Sequence, residues 1–227
     1  MVKAAKAATG AIPTVFTIGG DPVELGLVAK LNKPGGNVTG VTFLVGDLGA
    51  KRLGLLRQIL PKATAIAMLT NPTYPATLAE VRDVQAAARS LGIRINMLTA
   101  SNSGEIDAAF ATFGRERPDV LFVGGDPFLL GQREQVVTLA ARHAVPTIYP
   151  QREYVDAGGL MSYGTSIASE YRQAGAYTGQ ILAGAKPATL PVLQPTRFDL
   201  VINLKTAKAL GLEVPLSLQV AADEMIE

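Results

Sequence analysis

Apolar residues along this chain follow two rhythms that alternate almost from end to end. Short runs such as Val15–Ile18, Ala65–Leu69 and Val120–Val123 are apolar at nearly every position and are bounded by turn residues. Longer stretches such as Leu48–Leu60 and Ala76–Leu91 space their apolar residues three and four apart. The first rhythm predicts strands covered on both faces, and the second predicts helices with one apolar stripe. Strands are expected at Val15–Ile18, Val38–Phe43, Ala65–Leu69, Ile93–Leu98, Val120–Val123, Pro146–Tyr149, Gly159–Ser162 and Phe198–Ile202. Helices are expected at Ala4–Thr9, Pro22–Leu31, Leu48–Leu60, Ala76–Leu91, Glu105–Phe113 (capped by Ser103), Gln132–His143, Glu153–Ala157, Ser169–Leu182 and Lys205–Leu210, with one more short helix at the end. Strands separated by single helices make βαβ units and a mostly parallel sheet.

The series from Leu48 to Tyr149 is long enough to form a complete α/β lobe. The flanking pieces read as part of a second lobe whose first βα units are missing, which suggests a fragment or truncated gene product. The expected division is therefore residues 1–44 as partial lobe one, 45–161 as complete lobe two, and 162–227 as a return to lobe one with a C-terminal strand and helix.

Composition narrows the class without naming a function. The chain has 227 residues, 48% apolar and 18% charged, which affords a sizeable core and argues against disorder. The net charge of +2 is spread without a basic run or an aromatic-basic stripe, so no nucleic-acid partner is expected. There is no cysteine, which removes disulfides, thiolate metal sites and thiol nucleophiles. The single histidine, His143, cannot make a His-pair metal site and is expected at a helix end. No stretch reaches the roughly 20 apolar residues of a spanning helix. The first residues hold Lys3 and Lys6 but no apolar segment, so the chain as written reads as having no signal peptide. No cofactor and no metal are expected.

One phrase occurs twice, as Gly19-Gly20-Asp21-Pro22 and Gly124-Gly125-Asp126-Pro127, each time after a strand-like run. A polar loop at a strand's carboxyl end is where open α/β sheets place ligand contacts. The same phrase is also ordinary turn chemistry, and both readings stand at this point. The other strand ends carry Asn71-Pro72-Thr73-Tyr74, Tyr149-Pro150-Gln151-Arg152 and Ser162-Tyr163-Gly164. Small-molecule sites combine apolar surface with a few fixed polar groups. Tyr74, Phe128, Tyr149 and Tyr163 offer rings, while Asn71, Asp126 and Arg152 offer orienting groups, with Gly20, Asp21 and Ser162 in the same loops. Tyr171 and Tyr177 are expected to be packing residues. Catalytic signatures are missing: there is no nucleophile elbow, P-loop or dinucleotide fingerprint. A paired-carboxylate role for Asp21 and Asp126 is the remaining enzymatic alternative.

Several longer segments carry a family resemblance. Asp21–Val28, Leu31–Val41 (with Pro34-Gly35-Gly36-Asn37-Val38-Thr39-Gly40), Ala157–Gly164, Val201–Gly211 and Ala221–Ile226 together resemble the ABC transporter substrate-binding proteins that include tryptophan-binding lipoproteins. The resemblance covers essentially the whole chain. It implies a two-lobe type I periplasmic-binding-protein-like α/β fold with parallel sheets, its first lobe incomplete here. It further implies a non-enzymatic solute-binding role, a periplasmic or other extracytoplasmic location, and an ABC permease in the membrane as partner. A small molecule, such as an amino acid or an aromatic or organic acid, would be held by hinge closure, with crossings near Val41–Val45 and Ser162–Ser166. The alternatives are a metabolite-sensing regulatory module of the same fold and an α/β hydrolase or glycosidase.

Overall fold

A computed structural model describes residues 2–43 and 48–227. In chain order the elements begin α1 (Val2–Ala8), β1 (Thr14–Ile18), β2 (Val38–Thr42), α2 (Gly49–Ile59), β3 (Ala65–Thr70), α3 (Thr77–Ser90) and β4 (Arg94–Thr99). Next come α4 (Ser103–Ala111), β5 (Val120–Val123), α5 (Pro127–Gly131), α6 (Arg133–Arg142), β6 (Thr147–Tyr149) and α7 (Arg152–Asp156). The chain ends with β7 (Met161–Gly164), α8 (Ile167–Leu182), β8 (Asp199–Asn203), α9 (Leu204–Ala209), α10 (Leu216–Ala221) and β9 (Glu224–Ile226). Contacts divide these into two compact units, Met1–Leu44 with Thr165–Arg197 and Val45–Gly164 with Phe198–Glu227.

In the first unit, β1 and β2 pair in parallel, Thr14 opposite Val38 through Ile18 opposite Thr42. The extended segment around Leu193 continues alongside β2, where the Leu193 amide donates to the Gly40 carbonyl at 2.9 Å and the Thr42 amide to the Leu193 carbonyl at 2.9 Å. Phe16, Leu27, Val28, Val38 and Val192 form its buried cluster. Tyr177 packs as expected and donates from Oη to the Pro191 carbonyl at 2.7 Å. Tyr171, expected to pack, is 59% exposed on α8.

The helix expected at Pro22–Leu31 is a succession of turns. Asp21 Oδ1 accepts from the Val23 and Glu24 amides at 2.6 and 3.2 Å, which starts a helical turn. Gly26 then adopts φ +68°, and the Leu27 amide reaches back to the Pro22 carbonyl. A left-handed residue ends a helix, and glycine adopts that conformation without a Cβ penalty.

The second unit holds one seven-stranded sheet in the order β4-β3-β5-β6-β7-β8-β9. Pairs from β4 to β7 are parallel, β7 and β8 are antiparallel, and β8 and β9 are parallel. Alternate residues of each central strand enter opposite cores, as a pleat of period two requires. Ile66, Met68, Val120 and Phe122 pack with Leu53 and Leu56 of α2 and Val84 of α3. Ala67, Leu69, Leu121 and Val123 pack with Ile106 and Phe110 of α4 and Val136 and Leu139 of α6. Burial on both faces explains why these strands are apolar at every position.

The sheet is mostly parallel, as expected, with β8 and β9 running against the other five strands. Ser162 through Gly164 and everything from Phe198 onward belong to the second unit, held by the β7–β8 and β8–β9 ladders. Within the expected crossing Val41–Val45, Leu44 and Val45 lie outside the described residues. Element ends shift locally. Asn102, not Ser103, caps α4, its side chain accepting from the Glu105 amide at 3.0 Å. The C-terminal residues make α10 and also the edge strand β9, which the sequence did not suggest.

Candidate functional site

Strand order reverses direction at one point in the second unit. From β3 the chain moves outward to β4 over α3, then returns past β3 to β5 and continues to β6 and β7. The loops after β3 and β5 therefore lead away to opposite faces, α3 to one and α5–α6 to the other. Such a reversal opens a crevice outside the carboxyl ends of the two strands, where open α/β sheets bind ligands. Asn71 follows β3 and Gly124-Gly125-Asp126 follows β5, so the reversal brings together two stretches singled out in the sequence.

The two loops meet through side chains. Asn71 Nδ2 donates to Asp126 Oδ2 at 3.1 Å, with both residues buried. Asn71 Oδ1 accepts from the Thr73 amide at 3.0 Å and from Thr73 Oγ1 at 2.8 Å, an Asx turn that sends the chain into α3. Asp126 Oδ1 caps α5 by accepting from the Leu129 amide at 2.8 Å, with Pro127 in the first turn. Both copies of the repeated phrase thus use their aspartate to start a turn. Burial raises the Asp126 pKa above its ordinary value, against the opposing pull of the donors from Leu129, Asn71 and Phe128. Tyr74 and Phe128, in the same two loops, are each half-buried.

Beneath the β5 loop lies a buried ion pair that the sequence reading missed. Arg52 of α2 and Glu80 of α3 are joined through Nη2 and Oε1, with 0% and 2% of their side chains exposed. Arg52 Nη1 donates to the Val123 carbonyl at 3.2 Å, and its guanidinium lies 4.6 Å from the Phe122 ring centroid. Glu80 Oε2 accepts from the Gly125 amide at 2.9 Å. Space at Gly124 is tight, since a Cβ would sit 3.2 Å from Glu80 Oε2, the Leu69 carbonyl oxygen and Thr70 Cγ2, and these would have to give by a few tenths of an ångström. A sequence signal for the pair existed. Arg52 lies on the apolar stripe of its helix with Leu56 and Ile59, and Glu80 with Val84, so opposite charges occupy core positions of consecutive helices.

The remaining residues singled out from the sequence are placed differently. Tyr149 does not offer a free ring: it is 1% exposed and stacked on Tyr154 with centroids 4.7 Å apart. Burial raises the pKa of both phenols. Arg152 is engaged within its own unit, donating to Glu224 at 2.9 and 3.2 Å and to Asp156 at 3.3 Å. Those carboxylates hold its pKa above the usual arginine value. Ser162 is buried, and its Oγ has no hydrogen-bond partner among the described residues. Tyr163 is half-buried beside Phe198, with ring centroids 6.0 Å apart. Gly20 and Asp21 belong to the first unit, Gly20 half-buried and Asp21 exposed. His143 caps the end of α6 against the rings of Phe110 and Phe113, at 6.0 and 5.7 Å. Among the described residues no three acidic, histidine or cysteine side chains gather as a metal site.

A cavity of about 610 Å³ lies at the opposite edge of the same sheet. Val145, Thr147, Gly159 and Leu160, at the amino ends of β6 and β7, line it together with Ala140 of α6 and Thr206 of α9. Of the residues singled out from the sequence, Tyr149 alone touches it.

Known proteins show the same organisation. The family model described as ABC transporter substrate binding protein matches residues 1–226. A tyrosine-binding protein of Clostridioides difficile is 30% identical over 212 residues, 93% of this chain and 60% of that protein. The chain therefore spans about 60% of the length of that curated relative. A conserved domain protein from Vibrio cholerae superimposes with a TM-score of 0.90 at 29% identity, covering 99% of this chain and 75% of that one. An ABC domain from Streptococcus, solved in complex with L-Trp, gives 0.88 at 26% identity, covering 99% and 77%. The fold is that of the type I periplasmic binding proteins. No helix among the described residues is long and apolar enough to cross a membrane.

Proposed function

We propose, from the premise that this chain belongs to the ABC transporter substrate binding protein family, that it captures a small aromatic amino acid outside the cytoplasm for an ABC permease. The role is binding, without catalysis. The observation that carries this reading is the polar Asn71–Asp126 pair at the strand-order reversal, with Tyr74 and Phe128 following in the same two loops. A polar anchor beside aromatic surface suits a zwitterion with an aromatic side chain. The relatives described as tyrosine-binding and as solved with L-Trp support the same class.

Capture follows hinge closure, in which the closed form binds the solute more tightly and is populated accordingly. The candidate contacts are Asn71, Tyr74, Asp126, Phe128 and Tyr163 in the second unit, and Gly20 and Asp21 in the first.

The chain contains no tryptophan, so the indole emission of added L-tryptophan stands clear of the protein's own fluorescence. Titration with L-tryptophan, and calorimetry with L-tyrosine and the other amino acids, tests the reading. A ligand at one hundred times its dissociation constant should stabilise the fold by about 2.7 kcal/mol. No heat, no emission change and no thermal shift with any amino acid at millimolar concentration would refute it.

A further inference from the structure

Helix α3 touches both loops of the reversal along one edge. Thr77, its first residue, donates from Oγ1 to the Asn71 carbonyl at 2.7 Å. Glu80, one turn on, accepts from the Gly125 amide at 2.9 Å. Residues three apart on a helix share a face, so one rigid edge grips the backbone on both sides of the Asn71–Asp126 contact. Arg52 closes the bracket from α2, held by Glu80 and donating to the Val123 carbonyl at 3.2 Å. A third grip fastens the same helices, where Asp83 Oδ2 of α3 accepts from the Ala50 amide of α2 at 2.8 Å.

We propose that Glu80, with Arg52 and Thr77, is a positioning residue that sets the register between the two loops and so fixes where Asp126 and the turn after it stand. A buried ion pair is weak evidence of a stability role, because two well-packed apolar residues often replace one without loss. Here both charged groups spend hydrogen bonds on the backbone of a single loop. Gly125 lies next to Asp126, so releasing its amide frees the residue that carries the carboxylate. Gly124 adds to the constraint, since a Cβ there would press on Glu80 and the Leu69 carbonyl. The binding consequence rests on the function proposed above, whereas the positioning itself does not.

The test uses the full chain with Glu80→Ala, Glu80→Gln and the paired change Arg52→Met with Glu80→Met. Amide hydrogen exchange is read by NMR at Gly125, with Phe122 in the adjoining strand as reference, and L-tryptophan affinity is measured on folded protein well below the melting temperature. Glu80→Ala should speed exchange at Gly125 by roughly tenfold or more relative to Phe122, because a buried donor loses its acceptor. Affinity should fall by a similar factor. Glu80→Gln keeps a carbonyl for that amide and should restore both values to within about threefold. The paired Met change removes both charges and keeps the volume, so it covers the case in which a lone buried Arg52 prevents folding. It should fold, yet exchange fast at Gly125. Exchange at Gly125 that rises only in step with Phe122 would overturn the proposal, as would wild-type affinity in the paired variant. If the wild-type chain binds no amino acid, the function proposed above fails, and the exchange comparison still decides the positioning role.

Discussion

Replacing Asn71 with aspartate tests the central contact directly. In the native chain Asn71 Nδ2 donates to Asp126 Oδ2 at 3.1 Å inside a buried site. Asn71→Asp puts a carboxylate oxygen where the amide nitrogen was. Two unit charges 3.1 Å apart, at an effective dielectric of about 20, repel by about 5 kcal/mol. Taking up a proton is the cheaper response. Protonating a carboxyl of ordinary pKa, about 3.9, costs about 4 kcal/mol at pH 7. The pair should therefore hold one shared proton in the folded state and none when unfolded at neutral pH. The folded-state pKa is raised, so the variant's stability is fully present below the unfolded pKa and declines as pH rises. The gap to wild type should widen by about 1.4 kcal/mol per pH unit, from near zero at roughly pH 4 to about 4 kcal/mol at pH 7. Urea unfolding of both proteins at several values across that range measures it. A gap that does not change with pH, or no destabilisation at all, would show that Asn71 and Asp126 do not meet in solution.

Three further outcomes are expected. Tyr154 is fully buried and its hydroxyl has no hydrogen-bond partner among the described residues, so Tyr154→Phe should stabilise the chain by about 1 kcal/mol or more in urea; a loss of stability would show that the hydroxyl is satisfied in solution. Tyr177→Phe removes the 2.7 Å bond to the Pro191 carbonyl and should cost about 1 kcal/mol, seen as a melting temperature lower by roughly 2–4 °C. Arg152→Ala breaks solvent-screened pairs with Asp156 and Glu224, so urea unfolding should register a loss under about 1 kcal/mol, while exchange at β9 amides should quicken because Glu224 is released.

Much of the fold was legible because burial on two faces writes an unmistakable pattern. Ala65–Thr70 and Val120–Val123 are apolar throughout since each alternate residue has its own core. The Pro22 segment was misread because local chemistry competed with periodicity. Its apolar spacing suits a helix, but Gly26 takes a conformation that ends one. The edge strand β9 carried no strand signal of its own, being three residues long with two of them exposed. Its place comes from pairing with β8, from which α9 and α10 separate it in the chain. The site was legible as a set of loops and illegible as a geometry. Asn71 and Asp126 could be picked out as polar residues at strand ends, but their contact depends on strand order. Tyr149 shows the converse: it sits at a strand end, yet its side chain falls on the inner side of the pleat. Arg52 and Glu80 were passed over because each alone resembles a surface charge on an amphipathic helix, and only their joint position marks them as core.

The antiparallel pairing of β7 with β8 has a consequence for how the polypeptide can be cut. Gly164 and Asp199 face each other across the last rung of that ladder. The stretch Thr165–Arg197 thus departs from and comes back to neighbouring points on one sheet, as an insertion does. A two-residue Asn-Gly reverse turn spans such a gap. Splicing out the excursion and joining Gly164 to Asp199 through that turn, with the leading segment also removed, would leave a seven-stranded miniprotein on which the reversal-point chemistry can be studied in isolation.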